Sequence, residues 1–351
     1  MGIFPLVSAI AALSILNILS ASGFGAHDSS KCDPGTPASH TFGGFCGPLM
    51  AFLAPADAFL NDPVTWTYFM YSNVMFVPLY LMTHVEAFRH RRPLVLSAPL
   101  ITGILLLMMT AGPIMPLYCF AFVITGAASF QNSGSTPSEF AINRKDAEAV
   151  AFGMIVGYVI PSIALTAFRD MPTYGLWVGF HGYMAMLRTT WRVARSDTPQ
   201  VDTTIIKGLY ALTFVVTSVL HIVLVLSRIH DAQLLKDFFL PPLSSLEPST
   251  TLSPTWVLDL LQWDKALAMI AAMVATLWFA KDGKQRSLLL TWHIISTITV
   301  GPSASICGAL LWREICLTKG LEGPTKEKQR NFLNTTSSVA LNGVTTRDSR
   351  L

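Results

Sequence analysis

Residues Leu288–Leu311 read LLLTWHIISTITVGPSASICGALL, without a single Asp, Glu, Lys or Arg. Pro93–Ala111, PLVLSAPLITGILLLMMTA, is equally free of charge. A helix needs about 20 apolar residues to cross a bilayer core, and both stretches approach or exceed that. The rest of the chain has the same character. Of its 351 residues, 52% are hydrophobic and 13% charged, with a mean hydropathy of +0.49. A soluble surface requires far more charge than this. The expectation is an all-α fold: a polytopic integral membrane helical bundle of about 8–9 transmembrane helices.

The chain divides into four parts. Residues 1–24 hold a first hydrophobic helix, Phe4–Leu19, whose n-region lacks Lys and Arg; this favours an uncleaved helix over a signal peptide. Residues 25–45 form a polar loop, 46–319 the transmembrane domain, and 320–351 a polar tail of disordered composition. Within the domain, Cys46–Leu60 is short and carries Pro48, Pro55 and Asp57, which suits a re-entrant segment. Spans then read as Trp66–Val85, Pro93–Ala111, Pro113–Phe130, Ala149–Phe168, Tyr174–Leu187, Gly208–Ser227, Leu261–Ala280 and Leu288–Leu311. Gly112–Pro113 is expected to turn between two of them, and Pro161 and Gly301–Pro302 to kink others.

Charge tests this layout. Three basic loops, Arg89–Arg92, Arg188–Arg195 and Lys281–Arg286, fall on one side, which the positive-inside rule makes cytosolic. The basic C-terminal tail falls on the opposite side, where Asn334 is a possible glycosylation acceptor. Cys32 and Cys46 would be disulfide partners if their loop is lumenal. A net charge of +3 gives no hint of nucleic-acid binding.

Soluble-enzyme signatures are missing from the sequence: it has no Gly-rich phosphate loop, HExxH, GxSxG, haem or flavin motif. Nor are there paired Asp clusters to hold magnesium on a diphosphate. The remaining chemistry lies in ionisable groups near spans, where a charge is costly. Glu86 stands in Thr83-His84-Val85-Glu86-Ala87-Phe88-Arg89, and could simply pair with Arg89. Asp264 follows Leu261-Gln262-Trp263, as a helix N-terminal acid or a partner of Lys265 or Lys236. His181, His221 and His293 each need a partner in an apolar run, by interhelical hydrogen bond or proton relay. Aromatic residues crowd Trp66–Tyr80 and recur at Trp256, Trp263, Trp278 and Trp292. They form an interfacial belt, or a cavity whose π-faces stabilise a cation.

Four motifs carry a resemblance: the Thr83–Arg89 string, Gly157-Tyr158-Val159-Ile160-Pro161, Leu260-Leu261-Gln262-Trp263-Asp264, and Gly301-Pro302-Ser303-Ala304 with Trp312-Arg313-Glu314. In type and order they resemble the fungal membrane-bound terpene cyclases of meroterpenoid and indole-diterpene biosynthesis, of the longer, roughly 350-residue type. Leu260 stands where Phe is expected, and Ser303 where Gly is expected. The resemblance implies a metal- and cofactor-free isomerase-type enzyme of secondary metabolism in the endoplasmic reticulum membrane. Its substrate would be a hydrophobic, prenylated precursor, epoxidised by an upstream epoxidase and cyclised by proton-initiated carbocation chemistry. Glu86 and Asp264 are the candidate acids, and Trp66, Tyr68, Trp263 and His181 the candidate substrate contacts. A transporter or exporter of such a metabolite is the competing expectation, although no internal repeat supports it.

Overall fold

The computed structural model describes Ala56 and residues 60–89, 92–129, 142–196, 202–241 and 254–318. The first hydrophobic stretch, the Cys32–Cys46 loop, most of Cys46–Leu60, and the tail with Asn334 lie outside these residues.

Among the described residues the fold is helical. In chain order the helices are α1 (Pro63–Ala87), α2 (Pro99–Met109), α3 (Ala111–Ile124), α4 (Arg144–Phe168, through one π-turn at Ile155–Val159), α5 (Met171–Val178), α6 (Phe180–Ala194), α7 (Thr204–Leu226), α8 (Ala232–Phe239), α9 (Pro254–Thr276), α10 (Gly283–Thr299) and α11 (302–318). Several begin on a capping acid or amide. Asp62 accepts from the Thr65 amide at 2.7 Å, Asn143 from Asp146 at 2.7 Å, Asp170 from Thr173 at 2.8 Å and Asp282 from Gln285 at 2.8 Å. Each satisfies a backbone N–H that the first turn leaves without a partner.

The breaks fall close to the glycines and prolines, though not always where the sequence places them. Pro93–Ala111 is not one span: a single turn, Leu94–Ser97, precedes α2, and the chain reverses at Thr110. Gly112 and Pro113 lie in the first turn of α3 instead. Gly301, at φ +94°, separates α10 from α11 outright rather than kinking one long helix. Gly179 divides the expected Tyr174–Leu187 span into α5 and α6. Helix α8 lies between the expected spans Gly208–Ser227 and Leu261–Ala280.

Among the described residues, three helices are long and apolar enough to cross a membrane: Arg144–Phe168, Thr204–Leu226 and Val257–Phe279. Helices α2 and α3 are apolar but shorter. The eight or nine spans expected from apolar runs are not shown among the described residues: Thr110, Gly179 and Gly301 end helices inside those runs.

The faces of α7 indicate what surrounds the bundle. It turns Tyr210, Thr213, Thr217, Ser218 and His221 inward, and exposes Leu212, Val215, Val216, Val219 and Val223. In water that arrangement forfeits the hydrophobic effect, whereas against lipid it is the favourable one. Helix α1 is the hub, packed by α9, α7, α4 and α2. Helix α11 also lies along α1, with the Ser303 hydroxyl donating to the Met75 carbonyl.

Candidate functional site

Two regions around α1 each gather several buried polar groups. At the C-terminal end of α1, Glu86 is 1% exposed and accepts from three guanidiniums. Its Oε1 lies 2.8 Å from Arg89 Nε and 2.5 Å from Arg313 Nη1, and its Oε2 lies 2.5 Å from Arg92 Nη2. Arg89 also donates to Glu314. Arg313 donates to the Ala127 carbonyl at 2.9 Å, and its guanidinium lies over the rings of Phe122 and Phe279. The Thr83–Arg89 and Trp312–Glu314 motifs are thus two halves of one ion-pair cluster, over 200 residues apart in sequence. Charges removed from water persist only when paired and hydrogen-bonded in this way. Both Glu86 oxygens are engaged by guanidiniums, and the carboxylate ties α1 to α11.

The second region is a cavity of about 160 Å³ further along α1. Its wall is largely aromatic, formed by Phe69, Phe76, Tyr80, Tyr174, Trp177 and Phe180. The rings pack edge to face: Phe69 on Trp177 at 5.2 Å and Tyr80 on His181 at 5.2 Å between centroids. Besides the tyrosine hydroxyls and the Trp177 indole N–H, polar side chains enter the lining at Ser72, Asn73, Thr110, His181 and Asp264.

Asp264 is not at the start of its helix; it lies well inside α9, 7% exposed. The amide of Gly112, in the first turn of α3, donates to its Oδ1. The start of α3 thus presents an oriented N–H to a carboxyl that also faces the cavity. Thr110, immediately before α3, holds φ 66° and ψ 172°, a region that only glycine enters freely. Such strain persists only when the surroundings enforce it, and here it lies beside the one carboxyl group in the cavity wall.

Asn73 is fixed by Tyr158, whose hydroxyl donates to its carbonyl at 2.6 Å and to its side-chain oxygen. Trp177 Nε1 donates to Ser162 Oγ at 3.1 Å, and Asn73 Nδ2 reaches the same hydroxyl at 3.4 Å. The Gly157-Tyr158 motif therefore supports the cavity from behind. A Cβ on Gly157 would meet the Met184 backbone nitrogen at 2.7 Å, so α4 and α6 approach closely there.

The remaining expected contacts separate. Trp66 lies under Arg169, 5.0 Å from its ring centroid, and outside the cavity lining. Tyr68 is buried beneath Lys265, whose ammonium nitrogen lies 4.2 Å from its ring and 4.4 Å from that of Tyr71. Trp263 is half-buried and absent from the lining. Lys265 takes the aromatic faces, and Asp264 points elsewhere, as adjacent residues on a helix must. Gln262 donates to the carbonyls of Asp237 and Phe238 at 2.7 and 3.3 Å, fastening α8 over the Tyr68–Tyr71 cluster. Of the residues picked from sequence, the cavity collects Asp264 and His181. Phe69, Phe76 and Tyr80 come from the aromatic run Trp66–Tyr80 that the sequence makes visible, whereas no sequence signal points to Tyr174, Trp177 and Phe180.

Residues 47–318 match the family model described as the CtvD domain. No curated protein and no solved structure matches the chain. The matched region takes in both the ion-pair cluster and the cavity, and the chain belongs to the CtvD domain family.

Proposed function

We propose that this protein is an integral membrane cyclase of fungal secondary metabolism that starts a carbocation cascade with the carboxylic acid of Asp264. The observation that carries the reading is the placement of that carboxyl in an aromatic-walled cavity inside the bundle. Membership of the CtvD domain family is consistent with a fungal biosynthetic setting.

The chemistry follows from the lining. A neutral, oily substrate enters from the bilayer, and the Asp264 acid protonates its terminal epoxide or alkene. A lone pair on the epoxide oxygen takes the proton while its C–O bond opens onto that oxygen, or the C=C π pair takes it, and the carbon left electron-poor is attacked by the next double bond. The π-faces of the surrounding rings lower the energy of each cation, and the dry wall keeps water from quenching it. A cavity of about 150 Å³ accommodates a benzene ring, so 160 Å³ matches one forming ring rather than a whole prenylated molecule. The reacting end of the chain occupies it. The Gly112 N–H stabilises the carboxylate left after donation, a preorganised dipole of the kind that dominates electrostatic catalysis. In this reading Glu86, held by three arginines, maintains the helix arrangement.

The protein resides in the endoplasmic reticulum membrane, where the full chain has eight or nine hydrophobic spans and receives its prenylated substrate from an epoxidase. The test is to express the chain in yeast microsomes and supply an epoxidised prenyl arene. A product isomeric with the substrate, formed without ATP or a proton gradient, supports the reading. Unchanged substrate that instead accumulates across the vesicle membrane replaces it with export of a hydrophobic metabolite.

A further inference from the structure

The three histidines of the apolar runs differ in one respect. His221 Nδ1 meets the Tyr71 hydroxyl at 3.0 Å. His293 is bound at both nitrogens, to Thr276 and Ser305, each at 2.6 Å. His181 is 6% exposed, yet among the described residues neither ring nitrogen has a hydrogen-bond partner. Leaving such a group unpaired in a protein interior is costly, and the other two have fixed partners. The structure also makes room for this ring. A Cβ on Gly103 of α2 would stand 2.6 Å from His181 Cγ, so only glycine admits the imidazole there. Phe180 and Tyr80 hold its other sides, at 4.0 and 5.2 Å between centroids. The ring is positioned with care and given nothing to bind.

His181 lines the same cavity as Asp264 and reaches it from different helices: His181 on α6, packed by α2 and α4, and Asp264 on α9, packed by α3. We propose that His181 is the base that ends the cascade, taking the proton lost from the last cation. This rests on the cyclase reading and adds the second half of its proton cycle. The C–H bond next to the final cationic carbon breaks, and its electron pair closes a C=C bond. The proton goes to a ring nitrogen of His181. The imidazolium then returns a proton to the Asp264 carboxylate, so substrate and product are isomers and both groups are restored. Ser72, Asn73 and Thr110, the other polar lining groups apart from the tyrosine hydroxyls, are poor acceptors for a full proton.

The experiment uses the full chain in microsomes and, as probe, a farnesyl aryl ether with its terminal double bond epoxidised. Wild type is expected to give predominantly one isomer. His181→Phe is expected to lower that isomer's share at least fivefold. Its place is taken by double-bond isomers, from indiscriminate proton loss, and by products heavier by one water. Gly103→Ala, which keeps the imidazole but displaces it, is expected to shift the products the same way and carries the test if His181→Phe does not accumulate in the membrane. An unchanged product ratio in both variants, with wild type active, overturns the role of His181 and leaves the cyclase reading intact. No isomer from wild type overturns the cyclase reading, and this inference with it.

Discussion

Arg313 on α11 reaches Glu86 on α1 across 227 positions of sequence, with Nη1 and Oε1 2.5 Å apart and both side chains at most 2% exposed. The contact fixes the far end of the chain against the hub helix. It also bears on Glu86 itself, because a carboxylate shared by three guanidiniums is poorly suited to give away a proton.

Removing that carboxylate leaves three buried cations short of a counter-ion. Breaking a buried pair on one side typically costs about 3–5 kcal/mol. Glu86→Gln is therefore expected to lower the melting temperature in detergent sharply, and to reduce the amount of folded protein. Activity per folded molecule should be largely kept. Thermal unfolding alongside turnover normalised to folded protein checks this; a stable but inactive Glu86→Gln would return the acid role to Glu86.

Gly301 gives a backbone test. At φ +94° it is in a conformation disfavoured for any other residue, and an added Cβ would lie 2.7 Å from His221 Cγ. Gly301→Ala is expected to destabilise by more than about 1 kcal/mol and to disturb the His221–Tyr71 hydrogen bond. Thr110→Gly should do the reverse locally, relieving strain of about 1–3 kcal/mol, less the entropy glycine loses on folding. Chemical denaturation of the purified protein measures both. A Gly301→Ala protein as stable as wild type would contradict the described turn.

The helical class was legible in the sequence, because charge-free runs of membrane length admit little else. The span list was less so. Thr110 and Gly179 sit inside continuous apolar runs, and hydropathy does not register a change of direction between two equally apolar helices. The choice of acid was not legible at all. Glu86 and Asp264 are both lone carboxylates beside apolar stretches, and what separates them is Arg313, remote in sequence, and the amide of Gly112. Trp66, Tyr68 and Trp263 were picked for aromatic character, and periodicity along α1 does not say which ring faces the cavity and which faces Lys265 or Arg169.

Low pH acts first at the ends of the helices. The Thr65 hydroxyl and amide hold the Asp62 carboxyl below its ordinary value of 3.8. A folded-state value below the unfolded one gives stability that is complete above that ordinary range and is lost as pH falls through the folded value. The first turn of α1 should therefore loosen only in strong acid. Asp62→Ala should cost about 1 kcal/mol at neutral pH and abolish that part of the acid dependence. Amide hydrogen exchange at Thr65 and Trp66 as a function of pH reads it directly.

The most direct measurement of the central claim is turnover of the epoxidised prenyl probe by Asp264→Asn. The asparagine carbonyl can still accept from Gly112, so the helix arrangement is retained while the transferable proton is removed. General acid catalysis contributes roughly 10²–10⁴-fold, and the account predicts a loss of at least that lower bound at unchanged melting temperature. Wild-type turnover in the folded Asp264→Asn protein would contradict it.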